Sequence, residues 1–205
     1  MSQLPRYFDI LAASAGLILL SPLFAITSIG IKLTSHGPVF YRARRAGRGG
    51  EVFTLYKFRS MRVDTEHSGS GLTRADDPRI TRFGSVLRRT KVDELPQLIN
   101  VLRGDMTFVG PRPEDPGFIE HYPEKFKGIL DFTPGITSPA SITYRNESSA
   151  LTGEHHERDY IEHILHDKLS IDYEYFTTSS PRRHIAVLLR TVLSCIKSKK
   201  LNVKC

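Results

Sequence analysis

Two adjacent acids, Asp93 and Glu94, head an apolar period: Leu95, Leu98, Ile99 and Leu102 fall at i, i+3, i+4 and i+7, and Gly104 stops the pattern. Read locally, Asp93 is the N-cap of a helix and Glu94 a first-turn acid matched to the helix dipole, with Pro96 tolerated because early amides have no intrahelical partner. The same pair can do chemistry. Neighbouring helical residues do not face each other, so one carboxylate can attack a phosphoryl group while the other holds a divalent cation. A helix N-terminus would favour a bound phosphate and an ionised Asp93. On the residues alone, capping and catalysis both stand.

Cations surround the pair in sequence. In Gly110-Pro111-Arg112-Pro113 two proline rings limit the backbone around one guanidinium, which suits bidentate phosphate contact as well as it suits a rigid surface loop. Thr81 to Arg89 reads as a short basic helix leading into the acids. From Arg42 to Arg62 there are seven Arg or Lys against the single acid Glu51, an imbalance that points to phosphate or lipid headgroups. His163 and His166 share a helical face but lack metal-ligand spacing, so a solvated helix is expected there. Cys195 and Cys205 fit neither a metal site nor a disulfide framework, which points to a reducing compartment.

The elements that must hold these groups follow from patterning. The 205 residues suffice for one core, and 29 basic against 22 acidic residues leave a net charge of +7 that favours anionic partners. Val39–Tyr41 and Val52–Tyr56 read as a hairpin around Gly47, Gly49 and Gly50, Asp64 to Asp77 as a polar loop, and Met106–Val109 as a short strand. Pro134-Gly135 reads as a turn. The end of the chain, from Pro181, carries Ile185, Leu188, Leu189, Val192 and Ile196 at helical spacing beside arginines and lysines. That stripe suits an anionic membrane surface or packing against the body equally.

Ile10 to Ile31 is a run of 22 uncharged residues, about 33 Å as one helix, longer than a usual cleaved signal region. Ser21-Pro22 breaks it near its centre. Proline there removes the bond to the Ile18 carbonyl, and the Ser21 hydroxyl can bond back to a freed carbonyl. Composition favours a kinked spanning helix, with a re-entrant hairpin of two half-helices as the alternative. Lys32, Arg42, Arg44, Arg45 and Arg48 place the body on the cytoplasmic side.

Taken in order, the run with Ser21-Pro22, Tyr56-Lys57-Phe58-Arg59-Ser60-Met61, Asp93-Glu94-Leu95-Pro96-Gln97-Leu98, Gly104-Asp105-Met106, Gly110-Pro111-Arg112-Pro113 and Pro134-Gly135-Ile136-Thr137 resemble the monotopic phosphoglycosyl transferases, in their small single-domain form. These are the bacterial initiating sugar transferases. The resemblance implies a helix-rich α+β fold: a re-entrant membrane helix in residues 1–35, broken at Ser21-Pro22, and a cytosolic catalytic domain in residues 36–205 with a small β-hairpin and amphipathic interfacial helices. It implies residence in the bacterial inner membrane with the catalytic domain on the cytoplasmic face.

The reaction it implies is ping-pong. Asp93 attacks the sugar-bearing phosphate of a UDP-sugar and releases UMP; undecaprenyl phosphate then takes the phospho-sugar. Glu94 would hold Mg²⁺, and Lys57, Arg59, Arg88 and Arg112 would contact phosphates or the nucleotide. Anionic lipids are expected partners and nucleic acid is not. Two rivals are a basic membrane-anchored binding protein without activity, and direct transfer with Asp93 as a base. The chain departs from the pattern at Ser141 to Glu147, in a longer stretch around residues 151–171, and at His184, where an acid is usual; the sugar pocket or lid is therefore expected to differ, and the sugar is not assigned by analogy.

Overall fold

The computed structural model describes residues 3–62, 72, 77–147 and 156–196. Most of the expected 64–77 loop, and residues 151–155 of the longer stretch, fall outside these. The architecture is α+β and helix-rich, with two small sheets.

Helix α1 (Arg6–Thr34) runs through Pro22 as one element, and the Ser21 hydroxyl donates to the Ile18 carbonyl at 2.8 Å, re-satisfying the group that proline leaves free. One stripe of the helix packs inward at Asp9, Ala13, Thr27 and Ile31, while Leu11, Ile18, Leu19 and Leu33 are 68%, 73%, 77% and 82% exposed. Both ends are fastened to the body. Near the start, the Arg6 guanidinium donates to the carbonyls of Val101 and Leu102, and Asp9 accepts from the Thr107 hydroxyl at 3.0 Å and the Phe108 amide at 3.2 Å. Gln3 exchanges two bonds with the Thr133 backbone. Near the end, Ile31 packs with Phe58 and Leu87.

A Cβ on Gly30 would lie 2.6 Å from the Phe83 ring. Gly30→Val should therefore lower the melting temperature in detergent, by overpacking worth about 1–3 kcal/mol, whereas Ile18→Ala on the outer face should leave it unchanged.

Strands β1 (Phe40–Ala46) and β2 (Val52–Phe58) form the expected antiparallel hairpin, with Phe40 opposite Phe58 and Ala46 opposite Val52. They are longer than the apolar runs, because Ala43 and Leu55 point into the core while Arg42 and Arg44 alternate outward. Helix α2 (Arg82–Thr90) begins at Thr81, whose hydroxyl accepts from the Gly84 amide at 2.8 Å. Helix α3 (Gln97–Arg103) ends at Gly104 in the left-handed region, φ 93°.

Strand β3 (Thr107–Val109) pairs in parallel with β4 (Gly135–Thr137), a second sheet that the turn reading of Pro134-Gly135 does not contain. The two chains meet so closely that a Cβ on Gly135 would come 2.0 Å from the Gly110 amide nitrogen. Helix α4 (Pro139–Thr143) follows, then α5 (His156–Asp159), which passes through a π-helical stretch (Tyr160–Leu165) into α6 (His166–Thr178). A core of Phe118, Tyr122, Phe126, Phe132, Tyr160 and Phe176 holds this half together. In the last helix, α7 (Pro181–Ile196), His184 and Val187 are buried and Thr191 bonds Thr137, while Ile185, Leu189, Val192 and Leu193 are exposed. Of the apolar stripe of the tail, Ile185, Leu189 and Val192 thus face outward, while Leu188 packs against the core beside Val187.

Candidate active site

Residues Val92–Glu94 form a 3-10 turn between α2 and α3, in which the Glu94 amide bonds the Lys91 carbonyl and the Leu95 amide bonds that of Val92, each at 3.2 Å. This corrects the capping expectation. The N-cap position of α3 is Pro96, without a side-chain cap bond, and the amides that Asp93 or a phosphate would have used are taken by the turn. The positive field at the pair comes from side chains instead of a helix end.

Glu94 is the hub. Its Oε1 accepts from Lys57 Nζ at 3.2 Å and from an Arg112 guanidinium nitrogen at 2.9 Å, with only 13% of the Glu94 side chain exposed. Burial alone would raise this carboxyl, but the charges of Arg112, Lys57 and Lys91 and the bond from Arg112 outweigh it and hold Glu94 well below the usual carboxylate range. In return, the Glu94 charge holds Arg112 protonated more firmly. For Lys57, burial is the larger effect and draws the ammonium below its ordinary value against the pull of Glu94.

Asp93 is different. It is 6% exposed, and its Oδ1 is fully buried without a hydrogen-bond partner among the described residues. Burial, reinforced by the Glu94 charge, raises its carboxyl, while Lys57, Lys91 and Arg88 draw it back. An orphaned, buried carboxylate oxygen is costly to keep, and such atoms call for a functional account.

The structure gathers Asp93, Glu94, Lys57 and Arg112, with Arg88 on α2 within electrostatic range of Asp93 and its guanidinium 4.0 Å from the Met61 sulfur. Arg59 is placed elsewhere. Its guanidinium donates to the Ser35 carbonyl at the end of α1, at 2.7 Å, and makes no hydrogen bond to either acid. His163 and His166 are exposed on their helix.

Two residues that sequence reasoning passed over support the Arg112 loop. Lys168 on α6 is buried, and donates to Glu114 Oε1 at 2.7 Å, Tyr160 Oη at 2.8 Å and Glu147 Oε2 at 3.0 Å, so it ties the segment after Pro113 to α6. Asp172 accepts from the Ala140 amide at 3.0 Å and from the Arg112 amide. A helical i, i+4 pair of Lys168 and Asp172 is the signal that was available.

Burial is the largest influence on Asp172 and pushes its carboxyl up to about 7, against the bonds from Ala140, Ser138 and Arg112 and the Lys168 charge. A carboxyl raised in the fold stabilises it when protonated. That contribution is complete below the ordinary value of 3.8 and is lost as pH rises through about 7. Asp172→Asn should accordingly flatten the dependence of melting temperature on pH between about 4 and 7.

A family model described as "Bacterial sugar transferase" matches residues 1–198. A Bacillus subtilis protein named, provisionally, as an undecaprenyl-phosphate N-acetylgalactosaminyl 1-phosphate transferase is 48% identical over 124 residues, 60% of this chain and 69% of its own length. The UDP-glucose:undecaprenyl-phosphate glucose-1-phosphate transferase of Escherichia coli is 36% identical over 200 residues, 96% of this chain but 41% of its own. The exopolysaccharide production protein ExoY of Sinorhizobium fredii is 40% identical over 172 residues, 77% of this chain and 76% of its own.

Proposed function

Because the chain belongs to the bacterial sugar transferase family, we propose that it moves a sugar 1-phosphate from a UDP-sugar to undecaprenyl phosphate through a covalent intermediate on Asp93, starting assembly of a bacterial glycoconjugate. The observation that carries this reading is the contrast within the acidic pair: Glu94 meets two cations, both on Oε1, while Asp93 beside it keeps a buried oxygen with no hydrogen-bond partner among the described residues. The Asp93 oxygen forms a bond to the sugar-bearing phosphorus as the phosphorus–oxygen bond to UMP breaks, and UMP leaves with the electron pair. An oxygen of undecaprenyl phosphate then attacks the same phosphorus and the Asp93 carboxylate departs. Arg112 and Lys57, held together through Glu94, would meet phosphoryl oxygens. The relatives' names differ in the sugar, N-acetylgalactosamine in one and glucose in another, so the donor is left to experiment.

Mg²⁺ suits this donor set. Lys57 and Arg112 both bond Glu94 through Oε1, which leaves Oε2 outside those two bonds, and Mg²⁺ binds through one or two carboxylates with waters and substrate phosphates completing its shell. Glu94 would hold it, and the bound ion would neutralise charge on the phosphoryl oxygens. Removal of divalent metal with EDTA should stop UMP release, and added Mg²⁺ should restore it.

For the anchor, the support is the attachment of both ends of α1 to one body, through Gln3, Arg6 and Asp9 at one end and Ile31 at the other. Two ends held by one body fit a helix that enters and leaves the bilayer by one face, and α1 is read so here. The exposed apolar sides of α1 and α7 then lie in the cytoplasmic leaflet, with Arg182, Arg183 and Arg190 beside the α7 stripe to meet anionic lipid. A cysteine at residue 2 should be protected from a periplasmic thiol reagent; labelling there would favour a spanning helix. For the reaction, purified protein with Mg²⁺, undecaprenyl phosphate and a panel of UDP-sugars should release UMP from at least one donor. No release across the panel would favour a non-enzymatic anchor.

A further inference from the structure

Among the described residues, Lys91 is the one non-glycine residue in the left-handed region, φ 60° and ψ 16°. It follows α2, and its amide closes onto the carbonyls of Leu87 and Arg88. This is the place after a helix where glycine is preferred, because a Cβ crowds the backbone there. A lysine is strained in that setting, and strain of this kind gathers at functional sites.

The Lys91 side chain is half-buried, and its ammonium makes no hydrogen bond or ion pair within the described residues. The turn that begins at Lys91 folds back on it, since the Glu94 amide bonds the Lys91 carbonyl, so residue 91 lies beside the acidic pair. The Lys91 charge accordingly draws both carboxyls down. Glu94 already has the side-chain cations Lys57 and Arg112 on Oε1, whereas no lysine or arginine is paired with Asp93 among the described residues. Asp93 faces a different problem: an anionic nucleophile must approach an anionic diphosphate, and an uncommitted cation beside it relieves that repulsion.

We propose that Lys91 is a substrate-contacting residue whose ammonium hydrogen-bonds the phosphoryl group that Asp93 attacks. The proposal rests on the transferase reading above. As the carboxylate–phosphorus bond forms and the bond to UMP breaks, the ammonium keeps its proton and supports the charge on the oxygens of the group in transit. The contact therefore strengthens toward the transition state and acts on kcat more than on KM.

The test compares Lys91→Gly, Lys91→Asn and Lys91→Arg in the full-length, detergent-solubilised protein with whichever UDP-sugar the wild type turns over. Glycine relieves the backbone strain, so that variant should melt about 2–4 °C higher. The Gly and Asn variants should nevertheless lose at least about tenfold in kcat with a smaller change in KM, and the Arg variant should keep most of the activity. A helix-capping role alone predicts a stabler and fully active glycine variant. A Lys91→Gly enzyme with wild-type kcat would overturn the proposal, and so would one that melts lower. A wild type that releases no UMP from any donor would instead overturn the transferase reading beneath it.

Discussion

Asp93→Asn should abolish turnover, with UMP release falling by at least about 10³-fold. The amide keeps the shape and buried volume of the carboxylate but offers no anionic oxygen to attack phosphorus. What separates this outcome from a folding defect is the expected stability. Asp93 is 6% exposed, one of its oxygens lacks a partner, and burial with the neighbouring Glu94 charge raises its carboxyl. A neutral side chain removes that burden, so the inactive variant should melt at or above the wild-type temperature. A substitution that kills activity and stabilises the fold marks a residue held for chemistry. UMP release and thermal melting of the same preparations check both halves.

Glu94→Gln should carry the largest stability cost at the site. Lys57 and Arg112 would be left facing a neutral group, and removing one member of a buried ion pair strands its partners. Their side chains keep 21% and 28% exposure, which softens the loss to about 2–3 kcal/mol, the lower part of the range for buried pairs. Activity should fall at least about 100-fold, because the guanidinium and ammonium that we propose meet phosphate lose their common anchor.

The pH dependence supplies a sign to check. Glu94 is held well below 4.5 in the fold, so its contribution is fully present above that value and is lost as pH falls through its lowered folded value. The gap in melting temperature between wild type and variant should hold steady at neutral pH and close only in acid. Asp172 runs the other way, losing its contribution as pH rises toward about 7.

Local patterning made the hairpin, the basic helix α2 and the apolar period after Leu95 legible in the sequence, because each is written in residues a few positions apart. The bond from Ser21 to the Ile18 carbonyl was legible for the same reason. Strand β3 was legible as the short run Met106–Val109, but its partner β4 was not, since it is three residues long, too short for an alternation to register, and pairs across 28 positions. Asp93 read as a cap because a carboxylate before an apolar period usually is one; the intervening 3-10 turn removes the free amides that a cap requires. The acids and cations of the site could be named individually, but the convergence of Lys57 and Arg112 on one Glu94 oxygen joins residues 37 and 18 positions away. The Lys168 to Glu114 tie spans 54 positions, and neither residue lies in a block that resembles the family. Arg59 sits two positions from Lys57 yet turns to Ser35, a separation fixed by where β2 ends.

The division of labour between the two acids is tested most directly by intact mass spectrometry of the protein incubated with Mg²⁺ and its UDP-sugar donor, with undecaprenyl phosphate left out. Covalent catalysis predicts a mass increase equal to one phospho-sugar, mapping to Asp93, absent from Asp93→Asn and discharged when undecaprenyl phosphate is added. A wild-type enzyme that turns over with acceptor present but carries no adduct under trapping conditions would contradict it, and would leave Asp93 as a base for direct attack by the lipid phosphate.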